Sequence, residues 1–310
     1  MLKIRKILFP TDFSPCSAKA FSHALSLAKR HAASIDLLHV TVLHAEDHGL
    51  PPSWTTAPEA PTREDLEKAL ADSPLGPVLE SGSEVPHEVF HSRGVSATDR
   101  ILEHAADHDV DLVVMGTHGR RGAARLVLGS VTAEVIRRAE VPVLTVRETE
   151  SPDGSHDISR ILVAVDFSEH AKAALVHGLE LARANGARLE LAHVLQMPVY
   201  PYFYAPVPGP PPIEQIEGLR ERCQRAFARL IEETGAADVA AEPTLLEGHP
   251  SDAVVRHAET SESDLIVVGS HGLTGLKRLL IGSTSEAIVQ HATVPVLLVK
   301  SFGKMLIADS

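Results

Sequence analysis

The chain repeats itself, and the repeat limits the folds open to it more than any other feature. Ile7-Leu8-Phe9-Pro10-Thr11-Asp12-Phe13-Ser14 returns as Ile161-Leu162-Val163-Ala164-Val165-Asp166-Phe167-Ser168, and Leu37-Leu38-His39-Val40 as Leu191-Ala192-His193-Val194. Asp111-Leu112-Val113-Val114-Met115-Gly116-Thr117-His118-Gly119 returns as Asp264-Leu265-Ile266-Val267-Val268-Gly269-Ser270-His271-Gly272. Gly94 has its counterpart in Gly248, and Val141-Pro142-Val143 in Val294-Pro295-Val296. The order is kept throughout, with a one-residue slip between Gly248 and Asp264. Two copies of this length in 310 residues mean duplicated domains rather than a solenoid of short units. The expected division is 1–147 for the first domain, 148–159 for a linker and 160–310 for the second. The linker is polar and carries Pro152 and Gly154.

Each half alternates strand with helix. Ile7 to Phe9 is a short apolar run suited to a strand buried on both faces. Ser14-Pro15 is a helix start, a hydroxyl cap followed by proline at the first helical position, and Ala20, Ala24, Leu27 and Ala28 follow at helical spacing. Further strands are expected at 35–43, 87–91, 112–115 and 141–146, with helices at 64–71, 97–108 and 131–139. The second half matches, with a longer middle helix at 213–233. The fold class is therefore α/β, with parallel sheets covered by helices on both faces. Ligands of such sheets lie at the carboxyl ends of the strands.

The most informative motif follows the fourth strand of each half. Gly116-x-x-Gly119 is followed after nine residues by Gly129-Ser130, and Gly269-x-x-Gly272 after nine by Gly282-Ser283. A strand runs into a glycine turn, and the chain returns to a glycine at a helix N-terminus. Glycine admits close approach of backbone N–H groups. The helix start offers unsatisfied donors and a partial positive charge, which together suit a phosphate. Ser130 and Ser283 add hydroxyls, and Arg120, Arg121, Arg125, Lys277 and Arg278 add positive charge. The spacing is neither the dinucleotide fingerprint nor the P-loop. The plainer alternative is a turn and a helix cap. Asp12 and Asp166 end the first strand of each half, where a carboxylate can accept from an adenine amino group or a ribose hydroxyl. Capping of the next helix is the alternative, but Ser14 and Ser168 suit that role and leave the carboxylates available. Val40 and Val194, ending the second strands, suit an apolar wall for a base.

The terminal aspartate, the G-x2-G-x9-G-S loop and the closing V-P-V-x-x-V strand together resemble the universal stress protein family in its ATP-binding branch, nearly the whole chain being covered twice. The resemblance implies two Rossmann-like domains, of the adenine nucleotide alpha hydrolase-like kind, each a five-stranded parallel sheet. It also implies pairing through their last strands into an internal pseudo-dimer, and leaves a homodimer open. The implied ligand is ATP, with magnesium allowed. Asp12 and Val40 would meet adenine, Gly116 would lie beside the ribose, and Gly119, Gly129, Ser130 and Val131 would hold phosphates. The counterparts are Asp166, Val194, Gly269, Gly272, Gly282, Ser283 and Thr284. One departure is that Thr132-Ala133 stands where the second half has Ser285-Glu286.

The net charge of −12 argues against nucleic acid or an anionic membrane as a general partner. The start has no signal-peptide run and no segment has the length of a membrane span, so a cytoplasmic location is expected, with Cys16 and Cys223 as free thiols. Eighteen histidines include the pairs His44/His48, His87/His91 and His104/His108, without a zinc-ligand pattern around them. The proline-rich segment 198–212 reads as a surface loop or a docking segment for an unknown protein partner. No catalytic set is evident, so slow ATP hydrolysis is the most that is expected. A nucleotide-responsive regulator is the first reading. A weak ATPase and a nucleotide-free interaction or lipid-like ligand-binding module are the alternatives.

Overall fold

The computed structural model describes residues 2–43, 61–118, 128–148, 157–196, 213–270 and 281–307. The first half runs β1 (Lys6–Thr11), α1 (Pro15–His31), β2 (Ser34–Val42), α2 (Arg63–Ala71), α3 (Gly76–Ser81), β3 (His87–Gly94), α4 (Ala97–Asp107), β4 (Leu112–Gly116), α5 (Ser130–Arg138) and β5 (Val143–Val146). The second runs β6 (Arg160–Ala164), α6 (Glu169–Asn185), β7 (Arg188–Leu195), α7 (Ile213–Thr234), β8 (Glu242–Glu247), α8 (Pro250–Thr260), β9 (Leu265–Gly269), α9 (Ser283–His291) and β10 (Val296–Val299). The expected elements are present. Two further ones are α3 and a short 3₁₀ helix at Ala236–Val239, both too brief to give a periodic signal.

The strands form one ten-stranded sheet, in the order β3-β2-β1-β4-β5-β10-β9-β6-β7-β8. Within each half all neighbours are parallel. The halves meet where β5 and β10 pair antiparallel, with Leu144 opposite Leu297. Side chains alternate across the sheet, so Phe9 packs under α1 while Leu8 packs under α4 and α5. One layer joins α1, α2, α6 and α7 over Phe9, Leu37, Leu144, Leu191 and Leu297. The other joins α4, α5, α8 and α9 over Leu8, Leu38, Val143, Leu162 and Leu298. Both layers run through the seam, so the two halves share their cores.

Helix ends follow local chemistry. Ser14 caps α1 by accepting from Ser17 N, with Pro15 in the first turn, and Ser168 caps α6 by accepting from Ala171 N. The C-terminal ends of these helices turn left-handed, at Gly186 (φ 62°) in α6 but at Ala32 (φ 52°) in α1.

After β10 the chain turns back as a strap. Lys304 N donates to Glu140 O (2.8 Å), Lys3 N to Leu306 O (2.6 Å), and Leu2 pairs antiparallel with Ile307. Leu306 N donates to His177 Nε2 on α6 at 3.1 Å. Gly303 makes this passage at φ 87°, and a Cβ there would clash with Glu140 O. Among the described residues no helix is long and apolar enough to cross a membrane. Cys16 and Cys223 are free and buried.

Candidate functional site

The carboxyl edges of β1 and β6 are built alike. Asp12 Oδ1 accepts from Ser14 N at 3.1 Å, and Asp166 Oδ1 accepts from Ser168 N (3.1 Å) and Ser168 Oγ (2.6 Å). The serines are the helix caps, as expected. The carboxylates differ from the expectation, because one oxygen of each is committed to the turn. An aspartate two residues ahead of a backbone N–H closes an Asx turn, which leaves the serine hydroxyl for the helix. Between them Phe13 and Phe167 both sit at φ 62°, a left-handed conformation costly for a bulky residue.

Each strained phenylalanine lies against a histidine. Phe13 stacks on His39 with centroids 4.7 Å apart, and Phe167 lies 4.6 Å from His193. His39 Nδ1 is 2.9 Å from Thr11 O, and His193 Nδ1 is 2.8 Å from Val165 O. A carbonyl only accepts, so Nδ1 carries the proton and the imidazole holds the residue before each aspartate in place. Sequence reasoning assigned these histidines no role. The signal was available in the repeated His-Val pair, whose second members, Val40 and Val194, are half-buried against the α4/α5 and α8/α9 layer. Leu128 and Val131 pack against the same layer in the first half, and Ile281 in the second.

The glycine loops are closed at their base. Gly129 N donates to Thr117 O (2.8 Å), and Gly282 N donates to Ser270 O (2.7 Å). Gly129 (φ −59°) and Gly282 (φ −65°) cap α5 and α9 without any side-chain hydrogen bond. Left-handed backbone is therefore not why Gly129 is glycine. A Cβ there would stand 3.1 Å from Thr117 O, tighter than ordinary contact. Ser130 and Ser283 open their helices and are exposed, Val131 and Thr284 follow them half-buried, and Thr132 and Ser285 are buried. Thr132 Oγ1 donates to Gly116 O (2.9 Å) and Ser285 Oγ to Gly269 O (2.7 Å), binding helix start to strand end. Gly116 and Gly269 have a packing reason. A Cβ at Gly116 would meet Cys16 Sγ at 2.9 Å, and one at Gly269 would meet His170 O at 2.8 Å, where α1 and α6 begin.

Gly119, Gly272, His271, the five basic loop residues, the pair His44/His48 and the segment 198–212 lie outside the described residues. His118 is described, and its Nδ1 is 2.8 Å from Thr117 Oγ1, a bond within the turn.

The departure at Glu286 has a physical counterpart. Its carboxylate lies 3.4 Å from Arg137 of α5, so an ion pair crosses from one half to the start of the other half's loop helix. Ala133 offers no equivalent.

Two further histidines bond to acids of the neighbouring strands. His104 Nε2 is 2.9 Å from Asp36 Oδ2 and its ring stacks on His108 at 3.8 Å, while His257 repeats the bond with Glu190 at 2.7 Å. Among the described residues no group of three His, Cys, Asp or Glu side chains is placed to hold a metal. What the edge offers chemically is two sets of helix-start amides and exposed hydroxyls beside an aspartate and an apolar valine, which suits a phosphorylated ligand with a flat base.

The model of the Universal stress protein family matches residues 3–147 and again 158–300. A universal stress protein of Thermus aquaticus is 38% identical over 144 residues, 45% of this chain and 97% of that protein. One from Mycolicibacterium smegmatis is 28% identical over 308 residues, 95% of this chain and 96% of its own length. The solved structure of a universal stress protein from Archaeoglobus fulgidus superposes with a TM-score of 0.64 at 24% identity, covering 96% of this chain and 98% of that one.

Proposed function

The chain belongs to the universal stress protein family, and on that premise we propose that it binds ATP, with magnesium, once in each half, as a nucleotide-responsive regulatory protein. The binding units are taken as residues 1–147 and 160–310, joined by 148–159. One observation carries the reading. Both α5 and α9 begin at glycines without a side-chain cap, each held to the preceding strand end by a backbone hydrogen bond of 2.8 or 2.7 Å. Amides so presented are ordinary anion sites.

In this arrangement the N–H groups following Gly129 and Gly282 take phosphate oxygens. The hydroxyls of Ser130 and Ser283 reach a phosphate or the metal on it. The free faces of Val40 and Val194 flank the base. Asp12 and Asp166 are held by their turns at the adjacent strand ends, where they accept from the adenine amino group or the ribose. The reading assigns no residue to catalysis and includes at most slow hydrolysis of the bound nucleotide. Occupancy acts by favouring the conformation in which loop and helix start are ordered together.

Mass spectrometry of small molecules released from purified, denatured protein tests the reading. Adenine nucleotide recovered from the wild type and absent after Gly129→Val with Gly282→Val is the expected outcome. Its absence from the wild type, together with no titration heat from Mg-ATP on stripped protein, contradicts the proposal.

A further inference from the structure

The two halves build equivalent grooves on the α1/α6 side of the seam, and among the described residues only one of them is filled. In the filled groove the strap passes over Asp109, Asp111 and Glu140, against His177 of α6. Lys304 Nζ lies 2.6 Å from Asp109 Oδ1 and 2.7 Å from Asp111 Oδ1. Asp111 Oδ2 meanwhile accepts from the backbone N–H groups of Arg5 (2.8 Å) and Lys6 (3.1 Å).

The other groove repeats this frame. Glu262 stands for Asp109, and both are left-handed, at φ 52° and 54°. Asp264 stands for Asp111, and its Oδ2 accepts from Ser159 N (2.7 Å) and Arg160 N (2.9 Å). Arg160 lies 3.8 Å from Glu262, as Arg5 lies 3.4 Å from Asp109. His23 of α1 stands for His177. No counterpart of Lys304 reaches Glu262 or Asp264 among the described residues. In the sequence, Ser151 and Asp153 occupy the places of Lys304 and Leu306. A cavity of about 270 Å³ lies here, floored by Leu27, Leu112, Leu144 and Leu297, with the two acids on its rim and Leu306 at its edge.

We infer that this cavity is a docking site for an extended segment of a partner protein, one carrying a lysine two residues ahead of a leucine-like side chain. The molecule itself shows the chemistry in Gly303-Lys304-Met305-Leu306. The lysine takes the carboxylate pair, the backbone runs along the strand starts, and the aliphatic side chain enters the apolar floor. The acids fit a cation, with Asp264 Oδ1 in the place of the oxygen that binds Lys304 on the other side. Two basic side chains also line the cavity, Lys19 of α1 and Arg147. Lys19 stands where the filled groove has Ala173, and it forms no ion pair with either acid among the described residues.

A labelled peptide of the sequence Phe302 to Ile307, with both ends blocked, is the probe, titrated by fluorescence anisotropy into the full-length chain. Saturable binding of one peptide per chain is expected. Glu262 has its side chain 85% exposed, so Glu262→Lys should leave the melting curve unchanged. It should weaken the peptide about tenfold, as should glutamine in place of the peptide's lysine, the size of one lost charged hydrogen bond. Lys19→Ala should tighten it. A photoreactive group at the Met305 position should crosslink near Leu27 and Thr293. Absence of saturable binding up to about 1 mM, a weak interaction on any scale, overturns the inference. So does binding indifferent to Glu262→Lys, or crosslinking to the groove of Glu140 and His177, which would mean exchange with the strap.

Discussion

The first half and the second half share most of their bonds at one edge and differ more in the layers that cover it. The Asx turn, the φ of 62° at Phe13 and Phe167, the imidazole on the preceding carbonyl, the closed loop base and the hydroxyl on the glycine carbonyl all occur twice. Elsewhere α2 and α3 stand where the second half has a single long α7, Cys16 stands where it has His170, and among the described residues one groove holds the strap while its counterpart holds a cavity. On the proposed reading the shared edge handles a ligand, and such geometry tolerates little drift, because a shift of one bond misplaces a donor. Covering layers need only apolar volume, and volume can be supplied by many sequences.

The seam offers the largest test. Leu144 and Leu297 face each other across β5 and β10 and are buried in one shared layer. Leu144→Ala and Leu297→Ala should each cost about 2–5 kcal/mol in urea unfolding. The double mutant should cost a different amount from the sum, since contacting residues couple. Strict additivity would argue for two separate cores.

Next come the packing glycines. Gly116→Ala and Gly269→Ala should both destabilise by about 1–3 kcal/mol through overpacking. Gly269→Ala should cost more, because the new methyl meets the backbone of His170 while at Gly116 it first meets the Cys16 side chain. Equal losses would show that α1 and α6 seat on the sheet with the same freedom.

Acid should act on the strap side. His177 Nε2 accepts from Leu306 N and its Nδ1 lies 2.8 Å from Ala173 O, so the ring is neutral with the proton on Nδ1. Burial holds its pKa below the ordinary value of 6.5, outweighing the hydrogen bond to Ala173. A depressed histidine pKa stabilises the fold above the unfolded value and loses that contribution as pH falls from about 6.5 through the folded pKa. Unfolding midpoints measured between pH 7 and 5 should fall less steeply in His177→Gln than in the wild type. His31, His91 and His170, also lowered chiefly by burial, supply the slope that remains.

The smallest effects belong to the hydroxyl bridges. Thr132→Val and Ser285→Ala each remove one hydrogen bond to a glycine carbonyl and should cost about 1 kcal/mol, measured by chemical denaturation. A much larger loss in one half would reveal that its loop base depends on that bond alone.

How much of this was legible in the sequence follows the same division. Two-sided apolar runs and helical spacing gave the α/β alternation, since a buried parallel strand leaves little room for polar residues. The caps Ser14 and Ser168 were readable because they precede a helix directly. The Asx turns were not taken from Asp12 and Asp166, although the spacing Asp-Phe-Ser carries them. The strap escaped because Lys304 and Leu306 gain meaning only beside Asp109, Asp111 and His177, which are distant in sequence. Gly116 and Gly269 suggested a ligand, whereas the first turns of α1 and α6 already explain them, a contact that no local pattern encodes.

We propose that the duplicated edge holds two nucleotide sites, one in each half. Isothermal titration of Mg-ATP into the stripped chain tests it most directly, repeated with Gly129→Val and with Gly282→Val after each is checked for folding by circular dichroism. The account predicts two molecules of ATP per wild-type chain and one per single variant. Wild-type protein that takes up none at millimolar ATP, or variants that bind as the wild type does, would contradict it.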